Sequence, residues 1–146
     1  MEERFETFTV LINRVARNVR RIKNEEMAEY GLRSAHVSCL YHLYREDGMT
    51  ATVLCERCEE DKATVSRALD FLEREGYLTC ESKRAKRYKS PLVLTEKGRV
   101  VGCAVVEKID RVLQTVGMVL SEEDRLAFYG SLTKISDALD KIGGEV

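Results

Sequence analysis

A mainly α fold carrying one small β-hairpin is predicted by three features of this sequence. Apolar residues recur at three- and four-residue spacing through most of its length. The period changes to a strand-like one only after Tyr77, around a basic stretch. A single proline, Pro91, in 146 residues leaves long helices intact.

The elements follow in order. Residues 5–28 read as a first helix, because Phe8, Ile12, Val15, Val19 and Ile22 step by four, three, four, three and form an apolar seam. Gly31-Leu32 breaks it. Ser34 is placed to cap a second helix over 34–46, with Val37, Leu40, Leu43 and Tyr44 inward. Asp47-Gly48 is a turn. Thr50 opens a short third helix to Cys58. Asp61 is a natural N-cap for a fourth helix to Glu75, in which Val65, Leu69 and Leu72 form the buried stripe, and Gly76 closes it.

Residues 78–82 and 88–94 then read as two strands. Pro91 lacks an amide hydrogen, so it fits only an edge strand or a bulge, which suits an isolated hairpin. Thr95 caps a fifth helix with a seam of Val105, Ile109, Val112, Val116 and Val119. Ser121-Glu-Glu-Asp124 starts a sixth, whose stripe is Leu126, Tyr129, Leu132, Ile135, Leu139 and Ile142. The short middle helices and the hairpin can enclose a core of their own. The long terminal helices carry more apolar face than that core can cover, which calls for a second copy of the chain.

Composition bounds the function. Net charge is −1, with 34% charged residues and 44% hydrophobic ones, so the chain is no polycation and a nucleic-acid site must be a local patch. One patch exists. Lys83, Arg84, Lys86, Arg87 and Lys89 place five positive charges in seven residues, which leaves −6 on the remainder. The N-terminal Met-Glu-Glu-Arg is acidic and lacks an apolar segment, so no signal peptide is expected. No apolar run approaches the roughly 20 residues of a membrane span. Five cysteines, an odd number set within apolar patterns, point to a reducing cytoplasm.

The fourth helix and the hairpin carry the chemistry. The side of that helix opposite its buried stripe presents Ala63, Arg67, Asp70 and Arg74, flanked by Thr64 and Ser66. Small residues allow close approach to a DNA major groove. Hydroxyls reach phosphates or bases, and an arginine grips a guanine edge at two points. The basic hairpin tip adds phosphate contacts through counterion release.

With these residues placed, the chain resembles the multiple-antibiotic-resistance regulator (MarR) family of winged helix-turn-helix regulators. The likeness rests on Gly31-Leu32, Leu54-Cys-Glu-Arg-Cys58, Asp61-Lys-Ala-Thr-Val-Ser-Arg67, Leu72-Glu-Arg-Glu-Gly76 and Leu94-Thr-Glu-Lys-Gly98, in this order and spacing. It implies a single 146-residue domain. Residues 32–98 form the winged-helix lobe, and residues 1–30 and 99–146 the dimerisation helices. It also implies a cytoplasmic homodimer bound to double-stranded DNA at a pseudo-palindromic operator. Lys62, Thr64, Ser66 and Arg67 meet the DNA and the hairpin lies on the minor groove. The implied role is a repressor released by a small-molecule effector held between the lobe and the dimerisation helices. Two positions depart from the family. Its Asp-x-Arg at the wing corresponds to Lys86 and Tyr88 here, which leaves Arg87 as the minor-groove arginine. Glu59 and Glu60 precede Asp61 and would repel phosphate.

Other signals have a plainer reading beside a sharper one. Cys55 and Cys58 form a Cys-x-x-Cys, but no second pair or nearby histidine completes a tetrahedral metal set, so small-hydrophobe packing is favoured and no metal or cofactor is expected. Cys39, Cys80 and Cys103 are candidate oxidant sensors, with core packing the favoured role for Cys39 and Cys103. His42 is a candidate effector residue at the interhelical cavity. His36, six residues away, does not share its face. Arg17 lies with Arg14 and Arg21 on one face of the first helix, where these residues hold an anionic effector or form surface ion pairs. No Gly-rich phosphate loop or nucleophile–base pairing points to an enzyme, and Glu122-Glu123 sit where they offset a helix dipole. Two alternatives keep the fold and change the role: a thiol- or metal-responsive sensor, and an adaptor that binds protein rather than DNA.

Overall fold

The computed structural model describes residues 6–58, 60–80 and 89–143. It divides into two compact units, Met1–Ile109 and Asp110–Val146. A π-helical turn, Glu6–Val10, leads into α1 (Leu11–Glu26), and a 3-10 turn follows at Ala28–Tyr30. Next come α2 (Ser34–Arg45), α3 (Ala51–Cys58), α4 (Lys62–Arg74), β1 (Leu78–Cys80), β2 (Leu92–Leu94), α5 (Glu96–Gly117) and α6 (Glu122–Gly143). The fold is the expected one: mainly α, with a two-stranded antiparallel hairpin.

The first unit packs around α2, α3, α4, the sheet and the first half of α5. Val37 and Leu40 of α2, Leu54 of α3, Val65, Leu69 and Leu72 of α4, Leu78 of β1 and Val105 of α5 are all fully buried. Ala68 joins the α4 stripe, which a pattern of large apolar residues does not reveal. The strand register pairs Leu78 with Leu94, Thr79 with Val93 and Cys80 with Leu92. Leucines therefore face the core, while Thr79 and Val93 face outward.

Four sequence expectations are corrected. The first helix ends at Glu26 rather than 28, because Met27 turns into the core and is buried. Gly31 then adopts a left-handed φ of 69°, which sends the chain into α2. Ser34 is the first residue of α2, not its cap. The cap position is Arg33, whose amide donates to His36 Nδ1 at 3.0 Å, while the Ser34 amide donates to Asn24 Oδ1 at 2.7 Å. The second strand begins at Leu92, not 88. Lys89 and Ser90 are not strand, Pro91 has no donor for the ladder, and the Leu92 amide bonds to the Met49 carbonyl at 2.9 Å. Val119 lies beyond the end of α5, in the turn to α6. Residues 81–88, with most of the expected basic tip, fall outside the described residues.

The caps at Thr50, Asp61, Thr95 and Ser121 form as read. Val53 donates to Thr50 Oγ1, Thr64 to Asp61, Gly98 to Thr95 Oγ1 and Asp124 to Ser121 Oγ. Gly76, at φ 80°, closes α4: its amide bonds to the Glu73 carbonyl and that of Tyr77 to the Leu72 carbonyl. The terminal helices look different from the lobe. Neither α1 nor α6 buries a single residue. Val15 of α1 is 56% exposed and Leu126 of α6 is 64% exposed.

Candidate nucleic-acid interface

The outer face of α4 is built from its first turn. Asp61 accepts the Thr64 amide on Oδ1 at 2.7 Å and the Thr64 hydroxyl on Oδ2 at 2.9 Å. These bonds, the backbone one first, hold the Asp61 carboxyl below the usual carboxylate range. Arg67 Nη2 donates to Thr64 Oγ1 at 3.3 Å. Asp61, Thr64 and Arg67 thus form a chain of hydrogen bonds one turn long. Lys62, Ala63 and Arg67 are exposed, and Thr64 and Ser66 half-buried. The five residues singled out from sequence on this helix therefore lie together at its N-terminal end. The neighbouring Glu60 is exposed beside them.

The other face of α4 is fixed from behind. Besides the buried stripe, Phe71 stacks on His36 of α2, with centroids 4.1 Å apart and planes 17° apart. The C-terminal end is held by α5: Lys97 Nζ donates to the Glu75 carbonyl at 2.7 Å and lies 4.4 Å from the Tyr77 ring centroid. Thr95 donates its hydroxyl to the Gly76 carbonyl at 2.6 Å. Gly98 permits this close approach, because a Cβ there would lie 1.9 Å from the Tyr77 carbonyl oxygen. The motif Leu94-Thr-Glu-Lys-Gly98 contains Thr95, Lys97 and Gly98, but the reach of Lys97 to the Glu75 carbonyl and the His36–Phe71 stack depend on tertiary contact and do not show in the sequence.

Of the basic hairpin, Lys89 is described and exposed, whereas Lys83, Arg84, Lys86 and Arg87 lie outside the described residues. The two effector candidates stand apart in kind. Arg17 is exposed on α1, and Arg21 beside it pairs with Glu25 at 3.0 Å. His42 is half-buried on α2 and held below the usual histidine range by burial, then by Arg57, Lys23 and Arg45. His36 is shifted the same way by burial and Arg33. In the second unit an open cavity of about 560 Å³ is lined by Asp110, Leu113, Gln114, Gly117, Met118 and Arg125. Neither effector candidate lines it. Among the described residues no group of three or more His, Cys, Asp or Glu side chains is arranged to hold a metal ion, and no helix is long and apolar enough to cross a membrane.

Three compact helices, the last with an exposed polar N-terminal end, followed by a hairpin, define a winged helix-turn-helix lobe. Residues 30–87 match the sequence model of the MarR family. A MarR-family transcriptional regulator from Silicibacter pomeroyi is 27% identical, with a TM-score of 0.70 over 86% of this chain and 84% of that one. MepR of Staphylococcus aureus, solved as a complex with DNA, is 22% identical, with a TM-score of 0.80 over 90% of this chain and 97% of its own. NMB1585, a MarR-family regulator from Neisseria meningitidis, is 19% identical and has a TM-score of 0.82 over 97% of both chains. No curated protein matches the chain by sequence. The winged-helix lobe thus carries the sequence pattern of the MarR family, and the chain is similar in fold over nearly its whole length to solved MarR-family regulators.

Proposed function

We propose that the chain is a homodimeric, sequence-specific DNA-binding regulator that acts in the cytoplasm as a repressor released by a small-molecule effector. The observation that carries this reading is the division of α4. Val65, Ala68, Leu69 and Leu72 are sunk in the core, while Lys62, Ala63, Thr64, Ser66 and Arg67 stand at the other face around a fixed cap. A helix held that way enters a major groove without distorting its own lobe. Arg67 reads a guanine edge, Lys62 and Ser66 hold phosphate or base, and Ala63 permits close approach. Lys83, Arg84, Lys86, Arg87 and Lys89 follow the flanking backbone and minor groove. The existence of MepR in complex with DNA on a similar fold supports the same use here.

The dimer is supported by the apolar seams of α1 and α6, most of whose described residues stand exposed. Two copies present two α4 helices about one helical turn of DNA apart, on a pseudo-palindromic operator. Arg17 and His42 are the proposed effector contacts. His42 stands close to Lys23, Arg45 and Arg57, of which Arg57 pairs with Glu46 at 3.2 Å, which leaves a net positive environment suited to an anion. An effector that binds one spacing of the two α4 helices better than the other shifts the dimer away from DNA.

The test is fluorescence-anisotropy titration of DNA from immediately upstream of the protein's own gene, against scrambled DNA, at two salt concentrations. Tight, selective and salt-dependent binding is expected. Equal weak binding to both DNAs, or none, removes the operator reading.

A further inference from the structure

Two lysines of α5, Lys97 and Lys108, are each bonded to the end of a different helix. Lys97 Nζ donates to the carbonyl of Glu75, the C-cap residue of α4, at 2.7 Å. Lys108 Nζ donates to the carbonyl of Glu26, the last residue of α1, at 2.8 Å. At about 3.6 residues per turn their spacing returns both lysines to one face of α5, roughly 16 Å apart. Both lie in the first unit, together with α1 and α4. We propose that Lys97 and Lys108 are positioning residues for DNA reading, two clasps on one bar that fix the set of α4 relative to α1.

The chemistry of a helix end explains why lysine serves. The last carbonyls of a helix have no amide within it to bond, and they form the negative end of its dipole. An ammonium meets both needs. A second partner then holds each lysine in place. Lys97 lies 4.4 Å from the ring centroid of Tyr77, which is buried. Lys108 pairs with Glu29 at 2.9 Å, and its side chain is only 23% exposed.

Between the clasps α5 has little room to tilt. Gly98, Val101, Gly102 and Val105 are buried. At Gly102 the helix runs so close to α2 that a Cβ would stand 3.1 Å from Tyr44 Cβ. Thr95 adds two bonds at the α4 end, from its hydroxyl to the Gly76 carbonyl at 2.6 Å and from its amide to the Tyr77 carbonyl at 3.0 Å. The successive carbonyls of Glu75, Gly76 and Tyr77 are thus all taken by the cap and first turn of α5. A shift at either clasp is passed along a close-packed helix rather than absorbed.

The consequence for DNA rests on the function proposed above, in which α1 carries a seam for the partner copy and α4 reads the groove. The set of α4 on α1 then decides where two α4 helices fall on an operator. Neither lysine belongs to the residues proposed to touch DNA, so each acts through α4.

The experiment compares the full-length wild type with Lys97→Met, Lys108→Met and the double variant. Methionine keeps the length of the side chain and removes its donors and charge. Without DNA, amide hydrogen exchange should be about fivefold faster at Gly76 and Tyr77 in Lys97→Met, and at Gly31 and Leu32 in Lys108→Met. Lys108→Met should also speed Gly76 and Tyr77 about twofold, which a cap acting only on α1 would not do. With DNA, preference for upstream over scrambled sequence should fall about fivefold in each single variant and no further in the double, because one lost clasp already frees the bar. Arginine at either position keeps charge and donors and should restore most of the preference. The salt slope should stay at its wild-type value.

Unchanged exchange at Gly76 and Tyr77 in Lys108→Met overturns the proposal without recourse to DNA. Losses that multiply in the double variant make each lysine a local cap and overturn it too. A flattened salt slope makes the lysine a phosphate contact, and failure of arginine to rescue makes the effect one of packing; both count against positioning. A wild type without operator preference counts against the proposed function, while the exchange pattern still decides whether the two clasps act together.

Discussion

Thr64 is bonded twice to Asp61, through its amide at 2.7 Å and its hydroxyl at 2.9 Å, and passes that order on by accepting Arg67 at 3.3 Å. The two bonds do different things, and substitutions separate them. Asp61→Ala removes the cap and costs about 1 kcal/mol, a fall in Tm of roughly 2–4 °C, measured by calorimetry. Thr64→Val keeps the amide bond and removes only the hydroxyl. Its Tm should stay within about 1 °C of wild type, while operator preference in a DNA titration falls. Equal loss of stability in both variants would show that the hydroxyl belongs to the cap alone.

Arg67 is the exposed end of this chain of bonds. Arg67→Ala is expected to remove preference for operator over scrambled DNA, a reduction of about 1–3 kcal/mol per half-site if it reads guanine. The oligomeric state in analytical ultracentrifugation should not change, because Arg67 is remote in sequence from the apolar seams of α1 and α6. Undiminished preference would assign base reading to another residue.

The Gly98→Ala variant tests how closely α5 is pressed to the end of α4. Its Cβ would meet a backbone oxygen at 1.9 Å, and backbone does not yield cheaply. The expected cost is about 3 kcal/mol or more, or roughly 6–12 °C in Tm. A near-normal Tm would mean that α5 slides freely there.

Much of this was legible in the sequence because its causes are local. Asp61, Thr95 and Ser121 cap helices through bonds to residues three positions on, and Gly76 stops α4 by its own backbone freedom. Spacing alone also placed Val65, Leu69 and Leu72 inside. What failed to show depends on partners distant in the chain. Ser34 looks like a cap, but Asn24 takes its amide and His36 caps the helix instead. Lys97 stands in the Leu94–Gly98 motif, but its bond to the Glu75 carbonyl, 22 residues earlier, does not show there.

Acid should loosen the lobe through its histidines. In the folded chain His36 and His42 lie below the usual value of 6.5, each chiefly because burial disfavours the charged ring. His36 must also be unprotonated at Nδ1 to accept the Arg33 amide. The unfolded chain therefore binds more protons. Stability is full above about pH 6.5 and is lost as pH falls from there towards the folded values. The Tm should drop between pH 7 and 5, and less so in His36→Gln with His42→Gln. The same drop in that double variant would assign the effect to other groups.

The last prediction separates holding DNA from reading it. Arg84 and Arg87 belong to a run of five charges in a chain of net −1, so their contribution to binding should be electrostatic. Removing one phosphate-neutralising side chain lowers the slope of log affinity against log salt by about 0.9 on duplex DNA. Arg84→Ala with Arg87→Ala should therefore weaken binding to operator and scrambled DNA alike and flatten the slope by about 2 per protomer. Because Arg67 is untouched, the ratio between the two DNAs should persist. A flattened slope with a preserved ratio makes the hairpin a clamp on the backbone. A collapsed ratio would make Arg87 a reader of the minor groove, where narrow A·T stretches draw in an arginine. An unaltered slope would take the hairpin out of the interface and leave α4 to bind alone.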